Sequence, residues 1–103
     1  MAQRKREETR QQTGNIHVRI VDRKKGLRVI EDVYAIRILS KRYRLLVMED
    51  YTPMLGRVEG DVQVLAADGE LVYRGIRGFY KLQHNEFTLL IEYGEAPEQE
   101  GGA

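Results

Sequence analysis

From Ile16 to Tyr93 the chain alternates apolar and polar positions with a period of two. Ile16, Val18 and Ile20 alternate with His17 and Arg19. Tyr34, Ile36 and Ile38 alternate with Ala35, Arg37 and Leu39, and Val62 and Val64 with Gln63 and Leu65. Phe87, Leu89 and Ile91 alternate with Thr88, Leu90 and Glu92. Side chains on a strand point to opposite faces in turn, so this period predicts half-buried strands; no helical period is sustained. Turn chemistry falls where the runs end. Arg23, Lys24, Lys25 and Gly26 are expected to close a first hairpin. Ala67, Asp68, Gly69 and Glu70 supply an Asp-Gly pair suited to positive φ, and His84 with Asn85 separates two runs. The pattern predicts an all-β fold, a small antiparallel β-sandwich or flattened barrel of about 8–10 short strands. Gly75 and Gly78, three apart inside a strand-like run, predict a bulge or a close backbone approach where a strand leaves one sheet for the other.

The stretch 48–62, MEDYTPMLGRVEGDV, interrupts the alternation. Pro53 cannot donate to a central ladder, so the segment reads as a structured connection between two strands. Outside the patterned region, residues 1–14 form a basic polar tail and residues 95–103 an acidic tail rich in Gly and Glu. Both are expected to be disordered, leaving one β-sandwich domain over 15–94.

Composition narrows the function. With 42% hydrophobic residues in 103, one modest core is expected. The chain has no cysteine, which excludes disulfides, thiolate metal sites and a cysteine nucleophile. No apolar run approaches the roughly 20 residues of a membrane helix, so no direct membrane insertion is expected and the chain reads as cytoplasmic. The net charge of +1 hides an asymmetry: residues 1–45 carry 13 Lys and Arg against 5 acids, and residues 46–103 carry 4 against 11. Pairing strands from the two halves would place these charges face to face.

Catalytic chemistry finds little support. His17 falls at a polar strand position and His84 in a turn, with no metal-ligand spacing. Glu49 with Asp50, and Glu59 with Asp61, read as turn residues rather than an acid and base pair. No phosphate-binding loop or nucleophile elbow occurs. No catalytic residue, metal or cofactor is assigned, and the chain is read as a non-enzyme. Basic clusters at Arg4, Lys5, Arg6, at Arg23, Lys24, Lys25, Arg28 and at Lys41, Arg42, Arg44, the last with Tyr43, imply weak, salt-sensitive nucleic-acid affinity at most.

The order of these signals resembles the N-terminal β-sandwich domain of the epsilon subunit of F-type ATP synthases. VYAIRILS from Val33 matches the family's alternating segment, and DYTPML from Asp50 its Gly-His-Ala-Pro-Leu-Leu motif. EGDV from Glu59 takes the Lys-Pro-Gly-Val place, and RGFYKLQHNEFTLLIE from Arg77 its glycine pair and Asn-containing final hairpin. Tyr51 replaces the usual histidine, and Lys41, Arg42, Tyr43 and Arg44 stand where the family has a Gly- and Glu-rich turn. The family's C-terminal helical hairpin has no counterpart in this sequence. The resemblance implies a non-catalytic protein-interaction module. It places Tyr51, Thr52, Pro53 and Met54 in a loop facing a gamma-like partner, and Lys41, Arg42, Tyr43 and Arg44 in a turn facing the membrane ring. Three readings stay open: a truncated central-stalk subunit of a rotary ATPase, the same sandwich reused in another assembly, and a small β domain that binds nucleic acid through its basic patches. Exposed edge strands also leave a homodimer open.

Overall fold

The computed structural model describes residues 14–94 and 98–99. It contains seven strands and, among the described residues, no helix: β1 (Ile16–Asp22), β2 (Gly26–Ser40), β3 (Arg44–Met48), β4 (Met54–Ala66), β5 (Gly69–Gln83), β6 (Glu86–Tyr93) and β7 (Glu98–Gln99). The disordered tails expected at 1–14 and 95–103 otherwise lie outside the described residues.

Five strands close a small barrel: β1 pairs with β6, β6 with β5, β5 with β4, β4 with β2, and β2 again with β1. Neighbours are antiparallel except β1 and β6, which run parallel. The exception to the antiparallel expectation follows from counting, because a closed ring with an odd number of strands cannot alternate direction at every pair.

The barrel is flattened because three strands are long and bent. β2, β4 and β5 have 15, 13 and 15 residues, and each contributes to two layers. Pairing register defines the first layer as β3, residues 33–40 of β2, 62–66 of β4, 69–73 of β5, and β7. The second holds residues 26–30 of β2, β1, β6, 76–83 of β5 and 54–60 of β4. Counted by layer there are ten short segments, in line with the 8–10 expected; counted by chain there are fewer, because bulges bend strands without ending them.

The bends have visible causes. Asp32 adopts φ 60° beside the register shift in β2. On β5, Arg74 and Gly75 face the lone Asp61 of β4; Gly75 has φ 61°, and its amide donates to Asp61 Oδ1 at 2.9 Å. Three residues on, a Cβ at Gly78 would stand 2.1 Å from the Leu90 carbonyl oxygen. The glycine pair thus combines a bulge with a close approach. At the β5–β6 turn His84 and Asn85 have φ 51° and 60°, as the two-residue hairpin requires. The β4–β5 turn differs from expectation: Ala67 and Asp68 are its central residues, and the positive φ falls on Gly69, which already pairs with Ala66.

The alternating residues meet inside. Ile16, Val18 and Ile20 pack with Ile36 and Ile38, Val62 and Val64, and Phe87, Leu89 and Ile91, all at or near complete burial. Every fully buried side chain among the described residues is hydrophobic or tyrosine.

Candidate partner interface

The outer face of the second layer presents two complete rows across five strands. In one, register aligns Leu55, Lys81, Thr88, Arg19 and Val29; in the next, Arg57, Phe79, Leu90, Val21 and Leu27. These ten positions include no acid. Several of the apolar ones are open to solvent, among them Leu55 at 78%, Phe79 at 41% and Leu90 at 42%. A strand exposing one face to water normally places polar residues there, so an apolar band interspersed with Arg19, Arg57 and Lys81 is the candidate docking surface. Arg57 lies over the Phe79 ring, 5.3 Å from its centroid.

A third row, Glu59, Arg77 and Tyr93, borders the band. Glu59 Oε2 lies 3.4 Å from Lys41 Nζ and 3.2 Å from an Arg77 nitrogen. Lys41 and then Arg77 hold its carboxyl below the usual value. Arg77 also sits 5.8 Å from the centre of the exposed Tyr93 ring. Beyond Tyr93, Asp22, Arg23, Lys24 and Lys25 line an open cleft. Both basic turns therefore meet one end of the barrel, joined through Glu59, Arg77 and Tyr93.

The turn at 41–44 divides its work. The Lys41 amide donates to the Glu59 carbonyl at 2.9 Å, tying the turn to β4. Tyr43 is half-buried: its hydroxyl contacts the Arg57 carbonyl and lies 2.8 Å from the Tyr80 hydroxyl. Arg42 and Arg44 remain exposed. Burial, and then the contact with Tyr43, push the Tyr80 pKa well above its ordinary value.

The loop expected to face a partner is held from behind. Asp50, with φ 63°, donates its amide to Asn85 Oδ1 at 2.7 Å, and Asn85 Nδ2 donates to Asp50 Oδ1 at 3.1 Å. Asn15 donates to Glu49 Oε2 at 2.9 Å. Tyr51, Thr52 and Pro53 are exposed, whereas Met54 opens β4 and packs partly against the core. Both expected sites adjoin the β4 margin of the apolar band, through Lys41 on Glu59 and through Met54 beside Leu55. His17, with Nδ1 2.5 Å from Glu31 Oε1, borders the band beside Arg19 and Val29, together with Glu86.

Sequence reasoning missed the band itself. Its signal was Leu90, an apolar residue at an alternate position that should have been polar. Register alone brings it between Phe79 and Val21.

No family model matches the chain. No curated protein matches it. Among solved structures it is similar to a chain in the cryo-EM structure of the Tetrahymena thermophila mitochondrial ATP synthase central stalk/c-ring, at TM-score 0.60 and 11% identity. The match covers 77% of this chain and 64% of that one, less than two thirds of its length. At that identity the likeness shows a shared fold.

Proposed function

We propose that this protein is a non-catalytic interaction module that docks a protein partner through the outer face of its second layer. The observation that carries the proposal is the acid-free band from Leu55 and Arg57 to Val29 and Leu27. Its apolar members are mostly aliphatic, which suits a protein surface better than stacked bases. Arg19, Arg57 and Lys81 select a partner that places acids around an apolar centre.

The likeness to an ATP synthase chain supports a narrower form, a central-stalk subunit of a rotary ATPase. In that form Tyr51, Thr52, Pro53 and Met54 meet a gamma-like subunit, and Lys41, Arg42, Tyr43 and Arg44 lie toward the ring. In the broader form the same band serves another assembly. Native affinity purification from the source cell tests both forms, using the wild type and a Phe79→Asp/Leu90→Asp variant. Recovery of F-type gamma and ring subunits with the wild type alone supports the narrow form; a different stable protein lost by the same variant supports the broad form. Equal recovery of partners with both chains overturns docking through this face.

A second reading has one specific observation in its favour: the two basic turns flank exposed Tyr93 at one end of the barrel. Tight binding of a single-stranded oligonucleotide at near-physiological salt, lost in Tyr93→Ala, would favour it.

A further inference from the structure

Strand β3 ends the first layer with one side paired to β2 and, among the described residues, no strand on the other. The tight turn before it fixes which backbone groups face outward. Ser40 and Tyr43 exchange hydrogen bonds, Ser40 N to Tyr43 O at 2.9 Å and Tyr43 N to Ser40 O at 3.4 Å. Antiparallel pairs alternate between bonded and non-bonded, so Leu45 and Val47 also bond to β2. Arg44, Leu46 and Met48 then aim their amides and carbonyls at the free edge. Their side chains are exposed as well, Leu46 at 45% and Met48 at 50%. The strand contains no proline, and the register of its pairing with β2 has no bulge, so two of the devices that blunt an edge are absent.

The charge along this edge is antisymmetric. Arg42 and Arg44 lie at its start and make no ion pair among the described residues. Glu49 and Asp50 lie at its end and, among the described residues, bond to the amides of Asn15 and Asn85. An antiparallel strand of opposite polarity fits such an edge, and a second copy of this chain is one.

We propose that two copies pair antiparallel through β3, centred on Leu46, in a two-fold symmetric dimer. Leu46 of one copy exchanges hydrogen bonds with Leu46 of the other, and Arg44 pairs with Met48. This register sets Arg42 and Arg44 of each copy alongside Glu49 and Asp50 of its partner, twice over. The Met48 carbonyl already accepts from Tyr51 N at 3.2 Å and retains one lone pair for the new bond. Symmetry closes the assembly at two, since each chain spends its one β3 edge.

Sedimentation equilibrium across a range of concentrations tests the pairing, with two charge variants. Arg42→Glu/Arg44→Glu makes the edge acidic at both ends. Glu49→Lys/Asp50→Asn removes its acids, and asparagine keeps the left-handed conformation and the bond with Asn85. The wild type is expected to reach twice the monomer mass as concentration rises, and less readily at high salt. Each variant alone is expected to stay monomeric, while an equimolar mixture recovers the dimer. Circular dichroism confirms that both variants fold, and amide exchange at Leu46 is expected to slow by at least tenfold in the dimer. A wild type that stays monomeric throughout overturns the proposal and leaves the edge to an extended segment of another protein. Variants that dimerise as well as the wild type, or a mixture that does not, also overturn it.

Discussion

Tyr80 joins the core to the β4 margin. Its ring stacks on Phe87 at 5.6 Å between centroids and runs beneath Gly56, where a Cβ would come within 2.3 Å of it. The hydroxyl donates to Tyr43, whose own proton serves the Arg57 carbonyl. Burial there makes the phenolate costly, and this raises the pKa above the ordinary 10.0. Below that pH the folded and unfolded chains both keep the Tyr80 proton, so its contribution is fully present. As pH rises further the unfolded chain ionises first, and stability falls at about 1.4 kcal/mol per pH unit for each such group. Tyr73, also buried, acts in the same sense. Urea unfolding between pH 9 and 11 is expected to show a smaller decline for Tyr80→Phe than for the wild type. An unchanged decline would locate the alkaline sensitivity elsewhere.

Among the elements, turns and bends decide which strands meet. The loop at 49–53 is held to the β5–β6 turn by the reciprocal Asp50 and Asn85 contacts, although 35 positions separate the two residues. Asn85 has two roles there, a left-handed backbone at φ 60° and an amide that clamps the loop. Asn85→Gly removes the clamp and relieves the left-handed backbone of its Cβ; Asn85→Ala removes the clamp but keeps a Cβ there without asparagine's tolerance of that region, at a further cost of about 1 kcal/mol. Amide exchange at Asp50 is therefore expected to quicken equally in both variants, while denaturant midpoints rank wild type, then Gly, then Ala. Retained protection at Asp50 in the glycine variant would show that the loop is held by something else. Much of this level was legible in the sequence: period two located the core strands, and Gly75 with Gly78 marked the bend. The partner contacts were not. Tyr43 read as part of a partner-facing basic turn, and Asp61 as a turn residue rather than the acceptor for Gly75, because their contacts depend on register between strands far apart in the chain.

For the whole molecule, pairing the two halves of the chain resolves only part of their charge asymmetry. Lys41 finds Glu59, and β2 lies beside β4, yet Arg19, Arg57 and Lys81 share an outer face that contains no acid in its two central rows. Acids border that face on both sides, Glu59 on one and Glu31 with Glu86 on the other, so the positive charge is confined to the two central rows of the band. The free edge of β3, by contrast, belongs to the first layer and carries both signs. Like charges discourage two copies from meeting band to band, whereas the edge complements itself. The two surfaces share no residue, and effects at sites without common partners are additive within a few tenths of a kcal/mol. In the broad form, where the 41–44 turn meets no partner, Arg42→Glu/Arg44→Glu is therefore expected to abolish the dimer and leave capture through the band unchanged. Phe79→Asp/Leu90→Asp is expected to do the reverse, with a loss of stability because the two residues are cross-strand partners and their carboxylates would face each other; circular dichroism checks that the variant folds. Sedimentation and native purification on the same four-substitution series, each pair alone and both together, would read out the two losses separately. Loss of partner capture in the edge variant would mean either that the partner touches the 41–44 turn, as in the narrow form, or that it binds the dimer rather than the single chain.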